Sequence, residues 1–170
     1  METTWIVTAD EGRARIFSDT DRSQPLEEIE SMVNTEARMR TEEKYTDKLA
    51  GPRAAGKSIN HTGAATQGNL YEPPQTPEEH EAETFAKLIC AYLLKAHDER
   101  RFHKIVLAAA PKFLGVLRAE MDPRLKPLLA QEINKDLTHS SGHELRGQLQ
   151  AINQKNSATV AGSEPPSRKV

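Results

Sequence analysis

A mixed α/β sheet in one domain is the architecture this sequence predicts, and three observations predict it. Short β-branched and alternating runs fill residues 4–34, capped segments of helical period fill most of the second half, and Lys104 to Ala110 (KIVLAAA) has the length and apolar character of a strand covered on both faces. A chain of 170 residues buries one core rather than two.

The elements follow in order. Thr4 to Thr8 (TWIVT), the turn signal Asp10-Glu11-Gly12 and the alternating run Arg13 to Ser18 form a hairpin. Past a second turn, Leu26 to Asn34 is a third antiparallel strand, with Ile29, Ser31 and Val33 on one face and Glu28, Glu30 and Met32 on the other. Residues 35–75 then read as a long loop, poor in helix and strand signals. Thr76-Pro77-Glu78-Glu79 is a helix start: the Thr76 hydroxyl accepts a terminal amide bond, Pro77 fits the first position and Glu79 bonds back. The helix runs from Pro77 to about His97 on a stripe of Phe85, Ile89, Tyr92, Leu93 and Ala96. After the KIVLAAA strand, Pro111 opens a helix with Leu114, Leu117 and Met121 on one side.

Leu128 to Thr138 fits both periods, because Leu129, Ile133 and Leu137 suit a helix and Leu129, Gln131, Ile133, Lys135 and Leu137 also alternate. Ser141 and Glu144 form a second capping box, opening a helix that carries Leu145, Leu149 and Ile152. Residues 154–170 lack periodicity and read as a disordered tail, leaving 1–153 as the domain. With Leu128 to Thr138 as a strand, the order is β-β-β-α-β-α-β-α with a long loop between the third strand and the first helix. That is the ribonuclease H-like order, a fold-level analogy that carries no chemistry by itself.

The formal net charge of −2 and a pI near 6.3 demand neither nucleic acid nor an anionic membrane, so such binding has to come from a local patch. Cys90 is the single cysteine; it forms no internal disulfide and sits in an apolar helical pattern as a small buried hydrophobe. The opening METTWIVTADEG lacks the positive and apolar regions of a signal peptide, and no apolar run approaches the roughly 18 residues of a membrane span. A cytoplasmic protein without membrane contact is expected.

The opening TWIVTADEGRARIF, the Gly- and Arg-containing middle loop, Glu72-Pro73 before a helix of the EAETFAKLICAYL type, the KIVLAAAPKFLGVLR block and EINKDLTHSSGHEL resemble the bacterial host attachment proteins. The resemblance spans about residues 4–152. That family is described as required for attachment to host cells and is related to the middle domain of archaeal and eukaryotic peptide-chain release factors. In that domain the loop between the third strand and the first helix carries a Gly-Gly-Gln motif that helps water attack peptidyl-tRNA. This chain has no such tripeptide; its nearest stretch is Gly63-Ala64-Ala65-Thr66-Gln67-Gly68, so Gln67 is only a weak catalytic candidate.

Residues 48–71 contain no Asp or Glu. Lys48, Arg53 and Lys57, with Asn60, His61 and Gln67, suit phosphate contacts, which give affinity without base specificity. A noncatalytic protein that binds the ribosome or structured RNA is therefore expected, tied to attachment directly or indirectly. The alternatives are a peptidyl-tRNA hydrolase or metal-dependent nuclease, and a secreted or surface adhesion factor. Asp10 stands where a nuclease acid would be, with Glu132 and Asp136 as further acids, but Ala108-Ala109-Ala110 offers no ligand at the end of the fourth strand. Asp10 also suits a hairpin turn. The six histidines lack zinc-site spacing with cysteine, and the cap at Ser141 separates His139 from His143. No metal and no cofactor is expected. The oligomeric state is left open by an exposed third-strand edge.

Overall fold

The computed structural model describes residues 2–21, 23–49 and 76–161. Its strands are β1 (Thr4–Ala9), β2 (Arg13–Asp19), β3 (Glu27–Val33), β4 (Lys104–Ala109) and β5 (Leu129–Asn134). Its helices are α1 (Thr35–Leu49), α2 (Pro77–Asp98), α3 (Pro111–Glu120) and α4 (Gly142–Ala161). The five strands form one sheet in the order β3-β2-β1-β4-β5. The β1–β2–β3 meander is antiparallel, while β1, β4 and β5 run parallel. The mixed α/β sheet expected from the sequence is thus the observed one.

Both faces of the sheet are covered. Trp5, Val7, Ile16, Ile105 and Leu107 pack under α2 and α3 through Phe85, Ile89, Leu93, Phe113 and Leu117. Each such side chain contributes about 1.5–3 kcal/mol when removed from water. Trp5 is 2% exposed; its ring meets Phe102 at a tilt, with centroids 4.7 Å apart, and Arg101 lies 5.0 Å above it. Ile6, Phe17, Ala108 and Ile133 point to the opposite face, where Leu145 of α4 is fully buried against them.

The helix starts follow the sequence signals. Thr76 Oγ1 accepts from the Glu79 amide at 3.2 Å and the Glu79 carboxylate accepts from the Thr76 amide at 3.0 Å. At α4, Ser141 and Glu144 make the same reciprocal pair, at 3.3 Å and 2.8 Å. Between these helices, Leu128 to Thr138 resolves as strand β5 and the loop after it.

Three expectations are corrected. Residues 35–49, assigned to the long loop, form α1: Asn34 holds its start by accepting from the Ala37 amide, and charged residues at helical spacing, such as the Arg38–Glu42 pair, carry it without an apolar stripe. The helix after Ser141 continues through 154–161, because that stretch holds no Gly or Pro to stop it and its Ala, Gln and Lys residues favour helix. In β3 the strict alternation fails: a bulge opposite Ile16 and Phe17 shifts the register, so Ile29 and Met32 both pack on the α2–α3 side while Val33 is 41% exposed.

Candidate functional site at the carboxyl edge of the sheet

The parallel strands β1, β4 and β5 deliver their carboxyl ends to one edge, the place where open α/β sheets bind ligands. Asp10 follows β1 directly. Its Oδ1 accepts the Gly12 and Arg13 amides at 2.6 and 2.7 Å, which folds the hairpin turn. Its Oδ2 accepts from Thr138 Oγ1 at 2.9 Å, reaching across the sheet to the loop after β5. Thr138, fully buried, also sets its Oγ1 2.7 Å from Asp136 Oδ1, and its amide donates to the same oxygen at 2.9 Å. One hydroxyl carries one proton and can donate to only one carboxylate at a time, so two acids converge on a single donor.

His139 completes the cluster: ligand atoms of Asp10, Asp136 and His139 all lie within 4.8 Å of one another. Between them runs the end of β4, where Ala109 and Ala110 supply no ligand yet, being small, leave room for the flanking segments to meet. The expected gap at Ala108-Ala109-Ala110 is real; the second acid comes instead from beyond β5.

Arg15 fixes this loop from below. Its Nη1 donates to the Thr138 and Ser140 carbonyls at 3.0 and 2.7 Å, and its Nε and Nη2 donate to Glu28 at 3.0 and 2.6 Å. The guanidinium also lies 4.9 Å over the Phe17 ring. The Arg15 hydrogen bonds, with its charge, hold the Glu28 carboxyl below its ordinary value, and the same bonds raise Arg15. On the other flank, Asn34 ties α1 to the hairpin: its amide nitrogen donates to Gly12 O at 2.9 Å and its side chain to Glu11 O at 3.0 Å.

A cavity of about 470 Å³ opens over this edge, lined among others by Asp10, Arg13, Val33, Arg40, Glu81 and His139. Arg40 of α1 reaches Glu78 at 3.8 Å and pairs closely with Glu81, so the first turns of α2 are pinned to α1 at the cavity wall. A larger hollow of about 650 Å³ lies at the opposite edge, between α4 and the amino ends of the strands, lined by Ile6, Lys104, Arg146 and Leu149. There the charged groups neutralise one another, Glu2 with Lys104 and Asp19 with Arg146.

Of the residues expected to act, Asp10 stands at the centre of the site. Lys48 lies in helix α1 rather than in a loop. Arg53, Lys57, Asn60, His61 and Gln67 fall outside the described residues. Glu132 pairs with Arg118 of α3 and takes no part. His139 and His143 are separated by the helix start, as their spacing implies. The partnership of Asp136 and His139 with Asp10 was missed; the signal for it is an acid and an imidazole three apart just after a strand that runs parallel to β1. Cys90 is buried, and burial, with nearby Glu120, raises its thiol to about 11, in keeping with a packing role.

The fold is a mixed α/β sheet with a polar cluster at its carboxyl edge, and no helix among the described residues is long and apolar enough to cross a membrane. The chain belongs to the family described as "protein required for attachment to host cells", whose model matches residues 5–149. The resemblance read from its sequence blocks is thereby borne out. An uncharacterized protein of Rickettsia prowazekii (strain Madrid E) is 31% identical over 75 residues, which are 43% of this chain and 50% of that protein. The chain thus spans about half the length of the curated relative it matches. Among solved structures, an archaeal translation termination factor, aRF1, shows 11% identity and a TM-score of 0.40 over 95% of this chain and 42% of its own. A second archaeal protein shows 12% identity and a TM-score of 0.41, covering 95% of this chain and 41% of its own.

Proposed function

We propose that this protein is a noncatalytic RNA- or ribosome-binding protein that bears on attachment to host cells indirectly, from the cytoplasm. The observation that carries the reading is an acid-free, basic stretch of sequence that leads into α2, whose first turn lines the carboxyl-edge cavity. Residues 48–71 contain Lys48, Arg53, Lys57 and His61 without a carboxylate, and the chain returns from them to the first turn of α2, whose Glu78 and Glu81 line the cavity with Arg40. Arg13, Arg38 and Arg40 share that wall with Asp10, Glu11, Glu78 and Glu81, so the reading rests on the charge of residues 48–71 rather than on the wall itself. Such groups contact phosphate backbones with an affinity that falls as salt rises, and they carry little base specificity.

Ribosome co-sedimentation at low and moderate salt tests the reading. Wild type is expected to travel with ribosomes at low salt and to lose them as salt rises, and Arg53→Ala with Lys57→Ala is expected to weaken the association at least tenfold. A wild type that never co-sediments, or a double variant that behaves like it, sinks the proposal. A second reading, metal-dependent hydrolysis, is favoured by the convergence of Asp10, Asp136 and His139. Turnover of RNA or peptidyl-tRNA that is lost in Asp10→Asn would favour it over pure binding. Direct adhesion requires the protein outside the cell, which fractionation of the producing cell decides.

A further inference from the structure

We propose that Asp10, Asp136 and His139 form a binding site for one divalent cation of borderline softness, zinc foremost. The donor set is mixed: two carboxylate oxygens and one imidazole nitrogen, drawn from the hairpin turn and from the loop after β5, with atoms within 4.8 Å of one another. A purely acidic patch suits magnesium or calcium, whereas an imidazole beside carboxylates favours zinc and its neighbours.

Charge makes the same case. Three cationic side chains around the cluster are committed to other acids, Arg15 to Glu28, Arg40 to Glu78 and Glu81, and Lys112 to Glu11, while Arg13 shares the cavity wall. Among the described residues no Lys or Arg forms an ion pair with Asp10 or Asp136, and the one hydroxyl proton of Thr138 lies between them. A dication placed there supplies the missing positive charge and frees the hydroxyl to serve one carboxylate.

The supporting shell is already in place. Two backbone amides orient Asp10, the Thr138 amide and hydroxyl orient Asp136, and Arg15 holds the loop through the Thr138 and Ser140 carbonyls. Ligand atoms around tetrahedral zinc sit about 3.3 Å apart, since each bond is about 2.0–2.1 Å. The present separations close to that by side-chain rotation, because Asp136 and His139 are exposed. Three protein ligands leave a fourth position, and both Asp10 and His139 line the 470 Å³ cavity that would face it.

The inference goes beyond RNA binding and is tested without nucleic acid. The full chain is titrated with zinc chloride and with magnesium chloride by calorimetry, and with cobalt(II) by visible absorption. The expected result is one zinc per chain, bound at least a hundredfold more tightly than magnesium, with cobalt bands of a four-coordinate N/O site. His139→Ala and Asp136→Asn are each expected to weaken zinc at least tenfold, whereas His143→Ala, on the adjacent helix turn, leaves it unchanged. Both test positions are exposed, and far-ultraviolet dichroism confirms that the variants remain folded. Absence of one-to-one zinc binding, a preference for magnesium, or wild-type affinity in His139→Ala overturns the assignment.

Discussion

On one face of the sheet Trp5, Ile16 and Leu107 meet Phe85, Ile89, Leu93 and Phe113 from two helices; on the other, Ile6, Phe17, Ala108 and Ile133 meet a single helix through Leu145, Leu149 and Ile152, and polar contacts add to the attachment. There Arg15 grips the Thr138 and Ser140 carbonyls, Arg146 grips Asp19 and the Asp21 carbonyl, and Gly142 sits against Leu26. The α2–α3 face supplies the bulk of stability through area, which is non-directional. The α4 face supplies position, because hydrogen bonds fix distances and angles. The cluster of Asp10, Thr138 and Asp136 is built on the side that specifies geometry.

Substitutions that strike one face and spare the other test this division. Phe113→Ala, which empties a fully buried ring site on the α2–α3 face, is expected to cost about 3–5 kcal/mol in urea unfolding. It should leave the pattern of protected amides unchanged, because it lowers the whole domain. Gly142→Ala works on the other face by collision: an added Cβ would meet the Leu26 backbone carbonyl, so the start of α4 or the Leu26 turn must move. A loss of about 1–3 kcal/mol is expected, and a crystal structure should show the displacement.

Arg15→Met keeps a long apolar side chain at the position and removes the guanidinium over Phe17 together with the bonds to the loop carbonyls and Glu28. It is expected to cost about 2 kcal/mol, with faster hydrogen exchange confined to residues 136–141. Uniform acceleration across α2 as well would mean that Arg15 supports the whole domain rather than one loop.

The smallest effect concerns pH. The Glu28 carboxyl is held low by Arg15, so the unfolded chain binds that proton more readily than the folded one. The pair's stabilisation is therefore complete above the ordinary carboxylate value of about 4.3 and fades as pH falls below it. Because Glu28 is partly exposed, the stability gap between wild type and Glu28→Gln should be below about 1 kcal/mol at pH 7 and shrink steadily as pH falls below the ordinary carboxylate value in paired urea titrations.

Where one local rule sufficed, the sequence was readable. The Thr76–Glu79 and Ser141–Glu144 boxes, the KIVLAAA strand and the Phe85–Ala96 stripe all took the predicted form. The misses came where a signal was absent or nonlocal. Helix α1 has no apolar stripe to announce it, so its charged residues read as loop. The β3 bulge depends on the partner strand, which a single-strand alternation does not contain. Asp136 and His139 were visible individually, but their meeting with Asp10 requires that β1, β4 and β5 lie side by side, information that resides in the topology.

Asp10 spends both oxygens at once, one on the Gly12 and Arg13 amides and the other on a hydroxyl 128 positions further along the chain. Any change in the electron density of that carboxylate must be felt by the two amides. The Gly12 and Arg13 N–H resonances are thus built-in spectators: in a proton–nitrogen spectrum they would register whatever arrives beside Thr138.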